Sequence, residues 1–406
     1  MPVAEGVPEL AGLGVLTWVY PPDVVDRVVA ACDRTEQRRR LLPARLVVYF
    51  VLAMALFSPA PYLEVLRHLV QGLRELGRWG RWRVPAKSSL SRARERLGAT
   101  PLRVLFAATA RPLATTATKG AFWRGLRLLA VDGTCWDTAD TPANEQAFGR
   151  PGSRRGAGGG AFPQVRMVAL VECGTHAILD AELDGCRVGE TTLAARLVRS
   201  VGPGMLVLAD REFLGVPLWR AVAATGAHLL WRVPANRVLD VEQALPDGSW
   251  WSSMYAAGDR PARRHPVRVR LVAYHLDELG SQRESEYRLV TDLLDHERYP
   301  ARELAALYPQ RWEEETTLDQ LKSHQRGPGV VLTSKTPEGI RQQLWAHLLV
   351  HHALRALMCR TASAGGVDRD RLAFTDTLRA VRRSVTTAPG IFSPGVPGES
   401  ARLAAG

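Results

Sequence analysis

The sequence predicts a mixed α/β protein: a sheet covered on both faces, preceded by an all-helical segment and interrupted by a β-rich insertion. Three observations carry that expectation. Up to about residue 120, apolar side chains recur at helical spacing. From about residue 121, short apolar runs of strand type alternate with helical segments, the grammar of a sheet with crossover helices. Residues 235–300 then change to period-two alternation with little helical pattern.

The elements follow in order. "DVVDRVVAACDRTEQRRRL" spaces Val24, Val25, Val28 and Val29 as a helix, with Asp23 after Pro21 and Pro22 as the expected N-cap. "LVVYFVLAMALF" (46–57) is apolar but too short to span a bilayer, so it reads as a buried helix. "PYLEVLRHLVQGLREL" continues the pattern. "RWGRWRVP" (78–85) interleaves Trp79 and Trp82 with arginines and reads first as helix packing, with stacking on DNA as the alternative. "PAKSSLSRARERLGATPLRVLF" predicts two short helices around "GAT", capped by Ser88 or Ser89. With Arg92, Arg94, Arg96 and Arg103 it has the form of a helix-turn-helix, a form that any hairpin of arginine-bearing helices shares.

"LRLLAVDGT" (126–134) is a buried-type strand ending at Asp132, and "PQVRMVALVECGTHAILDAEL" (163–183) is a hairpin turning at "CGTH". After a helix at "ETTLAARLVRSV", "GMLVLADREF" (204–213) is a second buried strand ending at Asp210, and "HLLWRVP" (228–234) a third. The insertion comes next, then a long helix carrying Glu315, then the apolar helix "EGIRQQLWAHLLVHHALRALM" (338–358). The expected division is a helical domain over 1–120, a mixed α/β domain over 121–385 and a disordered tail over 386–406, the first to be read below as DNA-binding and the second as catalytic.

The 406 residues carry a net charge of +12, and its location matters more than its size. Residues 1–124 hold 19 Arg and Lys against 9 Asp and Glu, and 67–103 hold 10 basic residues against Glu75 and Glu95. A local excess of that kind fits a polyanion, most simply nucleic acid. The five cysteines are scattered without a C-x-x-C pair, which argues against a disulfide scaffold or zinc ribbon. No secretory signal or membrane span is evident, so the expected location is cytoplasmic, associated with the nucleoid.

Two aspartates that end apolar strands and one glutamate on a later helix can converge at one site. Three carboxylates cannot remain ionised side by side without a cation, and hard oxygen ligands suit Mg²⁺ or Mn²⁺. Two such ions activate an attacking hydroxyl and stabilise the leaving oxygen at a phosphodiester. Around the glutamate, "YPQRWEEETTLDQLKSH" (308–324) sets Tyr308, Arg311, Glu315 and Lys322 at offsets of 0, 3, 7 and 14. On an α-helical wheel these fall within an arc of roughly 60°, whereas Glu313 and Glu314 point away from it.

This Y-x2-R-x3-E-x6-K pattern, with "DGT" and "DREF" before it, resembles the insertion sequence four family of DDE transposases, the hairpin-forming cut-and-paste group. The aspartates and glutamate appear in order, separated by 78 and 105 residues, and the long second gap matches that family's β-rich insertion. The resemblance spans roughly residues 20–360. It implies a ribonuclease H-like core on which Asp132, Asp210 and Glu315 form the catalytic triad and hold two metal ions. It implies that Tyr308, Arg311 and Lys322 contact phosphates near the element's end, and that Trp312 stacks on a flipped base. Trp250 or Trp251 would supply a second aromatic. Arg92, Arg94 and Arg96 are the expected DNA contacts of the N-terminal helices. The partners implied are double-stranded DNA at element ends and target, and a second copy of the chain in the active complex. The alternatives are a nuclease on the same core, or a catalytically silent or domesticated DNA-binding protein.

Other features read plainly. "FGRPGSRRGAGGGAF" (148–162) lacks the phosphate-loop pattern, and is either a linker or a DNA-touching loop through Arg150, Arg154 and Arg155. His347, His351 and His352 are expected as core-edge or surface histidines. Asp137 and Asp140 are expected in a loop after the strand and outside the chemistry. Pro309 displaces Tyr308 toward a helix cap.

Overall fold

The computed structural model describes residues 14–37, 42–74, 85–152, 160–275, 286–327, 329 and 331–387. Trp79, Trp82, Arg154, Arg155 and the 388–406 tail lie outside the described residues, as do the side chains of Trp312, Glu313 and Glu314. The chain forms two compact units. One comprises residues 1–111, 137–147 and 319–406, the other 112–136 and 148–318.

The first unit is helical among its described residues. Helix Ala44–Leu56 is buried along almost its whole length, and helix Pro337–Gly365 is buried on most sides over Ile340–Met358. A helix that is apolar all round must be wrapped by others. The two pack together, which is why the late helix belongs with the N-terminal helices and not with the sheet. His347, His351 and His352 lie in this interior instead of at its edge, and burial drives the His347 pKa down to about 3. Helices Lys87–Leu97 and Thr100–Thr109 flank Gly98 (φ 70°) and Ala99, as the "GAT" turn predicts. Neither serine caps the first; it begins after Ala86 without a side-chain cap. Asp23 sits inside the first turn of helix Pro22–Ala31, and Pro21 takes the cap position. No described helix is long and apolar enough to cross a membrane.

The second unit is built on a ribonuclease H-like mixed sheet. Its strands are β1 (Phe122–Trp123), β2 (Leu126–Asp137), β3 (Gln164–Glu172), β4 (Ala177–Gly185), β5 (Met205–Ala209), β6 (His228–Arg232), β7 (Gln243–Ala244), β8 (Trp250–Met254), β9 (Val267–His275) and β10 (Glu286–Thr291). They run in the order β4-β3-β2-β5-β6-β10-β9-β8-β7, with β1 paired to β2. β2, β5 and β6 are parallel, whereas β6–β10, β10–β9, β9–β8 and β8–β7 are antiparallel. The β-rich insertion is therefore not a separate lobe: its last strand adds to β6 and extends the same sheet.

Period two divides the core between the faces. Leu129, Val131, Val207, Ala209, Leu229 and Trp231 pack on one side with Leu193 and Leu197 of helix Glu190–Leu197 and Leu218 and Trp219 of helix Val216–Ala223. Leu128, Ala130, Leu206, Leu208 and Leu230 pack on the other with Leu304 and Leu307 of helix Ala301–Leu307, and with Tyr308. Successive strand residues face opposite sides. Positions 132, 210 and 232 thus continue the face of Tyr308, and this alternation positions the site.

Candidate active site

The β2–β5 ladder ends at the pair Val131↔Ala209, and β5–β6 ends at Ala209↔Trp231. Asp132, Asp210 and Arg232 are the next residues on three adjacent strands, about 4.8 Å from strand to strand. Asp132 is not strand-terminal, however. β2 continues to Asp137, so Asp132 marks where β2 leaves its ladder with β5, and Asp137 is strand instead of loop.

Tyr308 and Arg311 form a 3-10 turn, Trp312–Asp319 is α-helical, and Gln320–Gln325 is a π-helical segment. The single α-helical arc expected from the sequence is therefore broken twice, because each helix type advances by a different angle per residue. Lys322 lies in the π segment and belongs to the other unit. The shorter spacing survives where it is local. Arg311 Nη2 donates to Glu315 Oε1 at 2.8 Å, and Arg311 Nη1 stands 3.8 Å from Asp132 Oδ2.

Tyr308 and Arg311 are both buried, at 4% exposure each, and so do not present themselves as surface phosphate contacts. Tyr308 instead donates its hydroxyl to the Ala209 carbonyl at 3.2 Å, bracing the residue before Asp210. Burial pushes the Tyr308 phenol up, so it remains a donor. Arg311 Nε is buried without a hydrogen-bond partner. Burial pulls the Arg311 pKa down, but the Tyr308 oxygen, Glu315 and Asp210 outweigh it and hold the guanidinium charged. A buried cation thus links the first acid to the third.

The acids are unevenly satisfied. Asp132 Oδ1 accepts the Gly133 N–H at 2.7 Å. Burial raises its pKa to about 6, against the pull of that N–H and of Arg311, with Glu190 and Asp210 adding repulsion. Asp210 Oδ1 is buried with no hydrogen-bond partner, and Arg232 Nη1 stands 3.9 Å away. Glu315 is exposed. Among the described residues, no three His, Cys, Asp or Glu side chains stand close enough together to hold a metal ion. Asp132 and Asp210 nevertheless suit a hard cation: they are adjacent and partly buried, and one oxygen lacks a partner. Glu315 is held back by Arg311.

Two residues at this site escaped the sequence reading. Arg232 would have been found by counting alternation from Leu230. Glu190 opens helix Glu190–Leu197 and lies against Gly133, where an added Cβ would come within 2.6 Å of its Cδ. Glycine at 133, which reads as turn chemistry, is in fact room for a fourth carboxylate. Arg166 Nε approaches Glu190 at 3.7 Å.

The remaining expected contacts separate clearly. Arg92 and Arg96 are exposed, but Arg94 is buried, donating to Gln342 Oε1 at 2.8 Å and to the Tyr62 hydroxyl. The helix turns Arg94 inward beside Leu90 and Leu97, which removes it from a DNA-facing set. Trp250 packs against the core, while Trp251 donates to the Leu294 carbonyl and carries Arg268 over its ring at 4.2 Å. Arg150 donates to the carbonyls of Gly160 and Ala161, closing the base of its loop.

Comparison with known proteins identifies relatives of both segments of the chain. Residues 10–107 match the family "Insertion element 4 transposase N-terminal", and residues 123–352 match "Transposase DDE domain". The chain is 29% identical over 381 residues to "Transposase InsG for insertion sequence element IS4" of Escherichia coli (strain K12), covering 92% of this chain and 83% of that protein. It is 28% identical over 215 residues to "Putative transposase InsZ" of the same organism, covering 53% and 69%. A cryo-EM structure of the piggyBac transposase synaptic complex with hairpin DNA shares the fold, with a TM-score of 0.51 and 13% identity over 98% of this chain and 84% of that one. The matched domains cover both the helical segment and the sheet with its acids, and the chain belongs to the insertion element 4 family of DDE transposases, enzymes of DNA phosphoryl transfer.

Proposed function

We propose that Asp132, Asp210 and Glu315 are the reacting acids, and that they cut the ends of the chain's own element and join the freed 3′ hydroxyls to target DNA. The observation that carries this reading is the register: the ladders end at Val131↔Ala209 and Ala209↔Trp231, which sets the two aspartates side by side on the face of Arg311 and Glu315. When bound there, two Mg²⁺ or Mn²⁺ ions would supply Lewis-acid activation of the attacking oxygen and charge stabilisation at the leaving oxygen. Asp132 and Asp210 would hold them, joined by Glu315.

The protein's own contribution is positioning and electrostatics. Arg311 ties Glu315 to the side of Asp132, and Tyr308 braces the backbone entering Asp210. For Glu315 to act on a metal, its hydrogen bond to Arg311 must loosen. Arg311 then keeps its ion pair with Asp132.

A hairpin route accounts for a single site serving both strands: water opens one strand, and the resulting 3′ hydroxyl attacks the other. The hairpin DNA bound by the piggyBac complex supports that route. Arg92 and Arg96, with Arg103 on the second helix, are exposed arginines of the N-terminal helix pair, suited to DNA backbone contacts. Lys322 and Trp312 fit a phosphate contact and a base-stacking role, and two copies would act together on paired ends.

The test is to incubate the protein with DNA carrying the gene's own flanks, in Mg²⁺ and in EDTA, beside Glu315→Gln. Cleavage that requires both Mg²⁺ and Glu315, with hairpin and joined products, is the expected outcome. Cleavage without joining would reassign the chain as a nuclease. DNA bound but never cut would make it a binding protein.

A further inference from the structure

A second charged feature lies at the same end of the parallel strands, outside the acids. The loop after Asp210 leads through Gly215 into helix Val216–Ala223, which has no side-chain cap. The loop after Arg232 runs through Asn236 and Arg237, and a turn before β9 brings Arg260 and Arg263. These segments enclose a cavity of about 720 Å³.

Its charge is one-sided. The described residues lining it include Arg237, Arg260 and Arg263 against the single carboxylate of Asp240, which pairs with Arg263 at 2.6 Å. Arg237 donates one N–H to the Leu214 carbonyl at 2.9 Å, which ties the two loops together. Burial, and then the neighbouring charge of Arg260, lower the Arg237 pKa, so the two cations of this lining repel. The turn is held in an unusual shape: Arg263 and His265 have φ of 49° and 48°, a left-handed conformation uncommon in side chains of this size. Backbone held this way is a common mark of functional loops. Repelling cations gathered in a concave site call for an anion, and the planar fork of arginine fits two phosphate oxygens at once.

We propose that this cavity seats a phosphodiester of the DNA strand that approaches the acids, with Arg260 and Arg263 as the entering contacts and Arg237 at the floor. The inference rests on the proposed DNA-cutting role and names a backbone subsite for it. Val216 opens the helix on the Leu129 and Val131 face of the sheet, opposite the acids, so a strand held here would reach them by passing around the ends of β5 and β6.

The test is binding of the full-length protein to a labelled duplex carrying the gene's flank, in EDTA, by fluorescence anisotropy between 50 and 200 mM salt. Arg260→Gln and Arg263→Gln are compared singly and together, with thermal melting to confirm that both exposed substitutions leave the fold intact. Each lost phosphate contact lowers the slope of log affinity against log salt by about 0.9. The double variant is therefore expected to lose roughly tenfold less affinity than the wild type across that salt range, while binding more weakly at its low end. Asp240→Asn, which removes the one lining carboxylate among the described residues, is expected to bind several-fold tighter. A double variant with the wild-type slope overturns the subsite and leaves the DNA-cutting role standing. A wild-type protein that does not bind the duplex overturns both.

Discussion

Two acidic regions lie near opposite ends of the β2–β5 ladder, and they are built on opposite principles. Near its start, Glu172 is fully buried, and all its oxygens are used. Oε2 accepts the Leu113 and Ala114 N–H groups at 2.9 Å and the Thr175 hydroxyl at 2.6 Å, and Oε1 takes Arg127. Beyond the ladder, Asp132 has one N–H from its own neighbour, and Asp210 has a buried oxygen with no hydrogen-bond partner. Both regions contain an arginine, but Arg127 closes a completed network whereas Arg311 spans an incomplete one. A buried carboxylate with its hydrogen bonds filled is an anchor. One left short is a place prepared for something else, since an unmet buried acceptor costs free energy in the resting protein. Satisfaction, not burial, separates Glu172 from the acids proposed to react.

The largest effect that tests this contrast is on chemistry. Asp210→Asn keeps the shape and removes the charge that a cation needs. Cleavage of flank DNA is expected to fall by roughly three orders of magnitude or more, the loss of several kcal/mol of charge stabilisation. Melting temperature should hold or rise. Cleavage within tenfold of wild type would place the reacting acid elsewhere.

The converse change is Glu172→Gln. It leaves Arg127 without its buried partner and turns an acceptor toward donors, so it is expected to cost about 3–5 kcal/mol of stability. The denaturant midpoint should drop accordingly, and the protein still folded should cut DNA at the wild-type rate. A midpoint unchanged by the substitution would remove the distinction between anchor and reactive acid.

How much of this was legible beforehand depends on the range of the signal. Asp132 and Asp210 stood out because each follows an apolar run, and period-two alternation is local enough to read directly. Arg311 and Glu315 were legible through one turn of helix. Lys322 was not, because the chain passes from a 3-10 turn through an α-helix into a π segment, and no local spacing announces that change. Arg94 was read as exposed because charge suggested it; its partners Gln342 and Tyr62 are distant in sequence, and only tertiary packing reveals them. The insertion was recognised as β-rich, but its pairing through β10 to β6 is a long-range contact that alternation does not specify. Glu190 was hidden for the same reason, its only trace being a glycine that looked like a turn.

A smaller effect concerns pH. The folded-state pKa of Asp132, about 6, lies above the ordinary value of 3.8, so the folded chain binds that proton more tightly than the unfolded chain. Stability contributed by the protonated group is whole below about pH 4 and is lost as pH rises through 6. Asp132→Asn does not titrate and escapes the loss. In EDTA it is expected to be more stable than wild type by about 2–3 kcal/mol at pH 8 and no more stable at pH 4. Glu172→Gln, which breaks a filled hydrogen-bond network, should be destabilising instead. Equal stability of Asp132→Asn and wild type at pH 8 would mean that the site is not short of partners in the resting protein.

The finest probe touches neither acid. Tyr308 reaches Asp210 only through the backbone, its hydroxyl meeting the carbonyl of Ala209 at 3.2 Å. Tyr308→Phe removes one buried neutral hydrogen bond and keeps the ring against Leu208 and Leu304, so the expected stability loss is about 1 kcal/mol. If the bond only supports the fold, cleavage should be unaffected once the fraction folded is allowed for. If it fixes the aspartate, the rate at saturating DNA should fall several-fold with DNA affinity unchanged, because a misplaced ligand costs rate and leaves backbone contacts intact. Raising the Mg²⁺ concentration separates the two outcomes. A loosened ligand binds the ion more weakly and its lost rate is partly recovered at high Mg²⁺, whereas a loss that ignores Mg²⁺ would show that Tyr308 belongs with Glu172, among the groups that hold the sheet together.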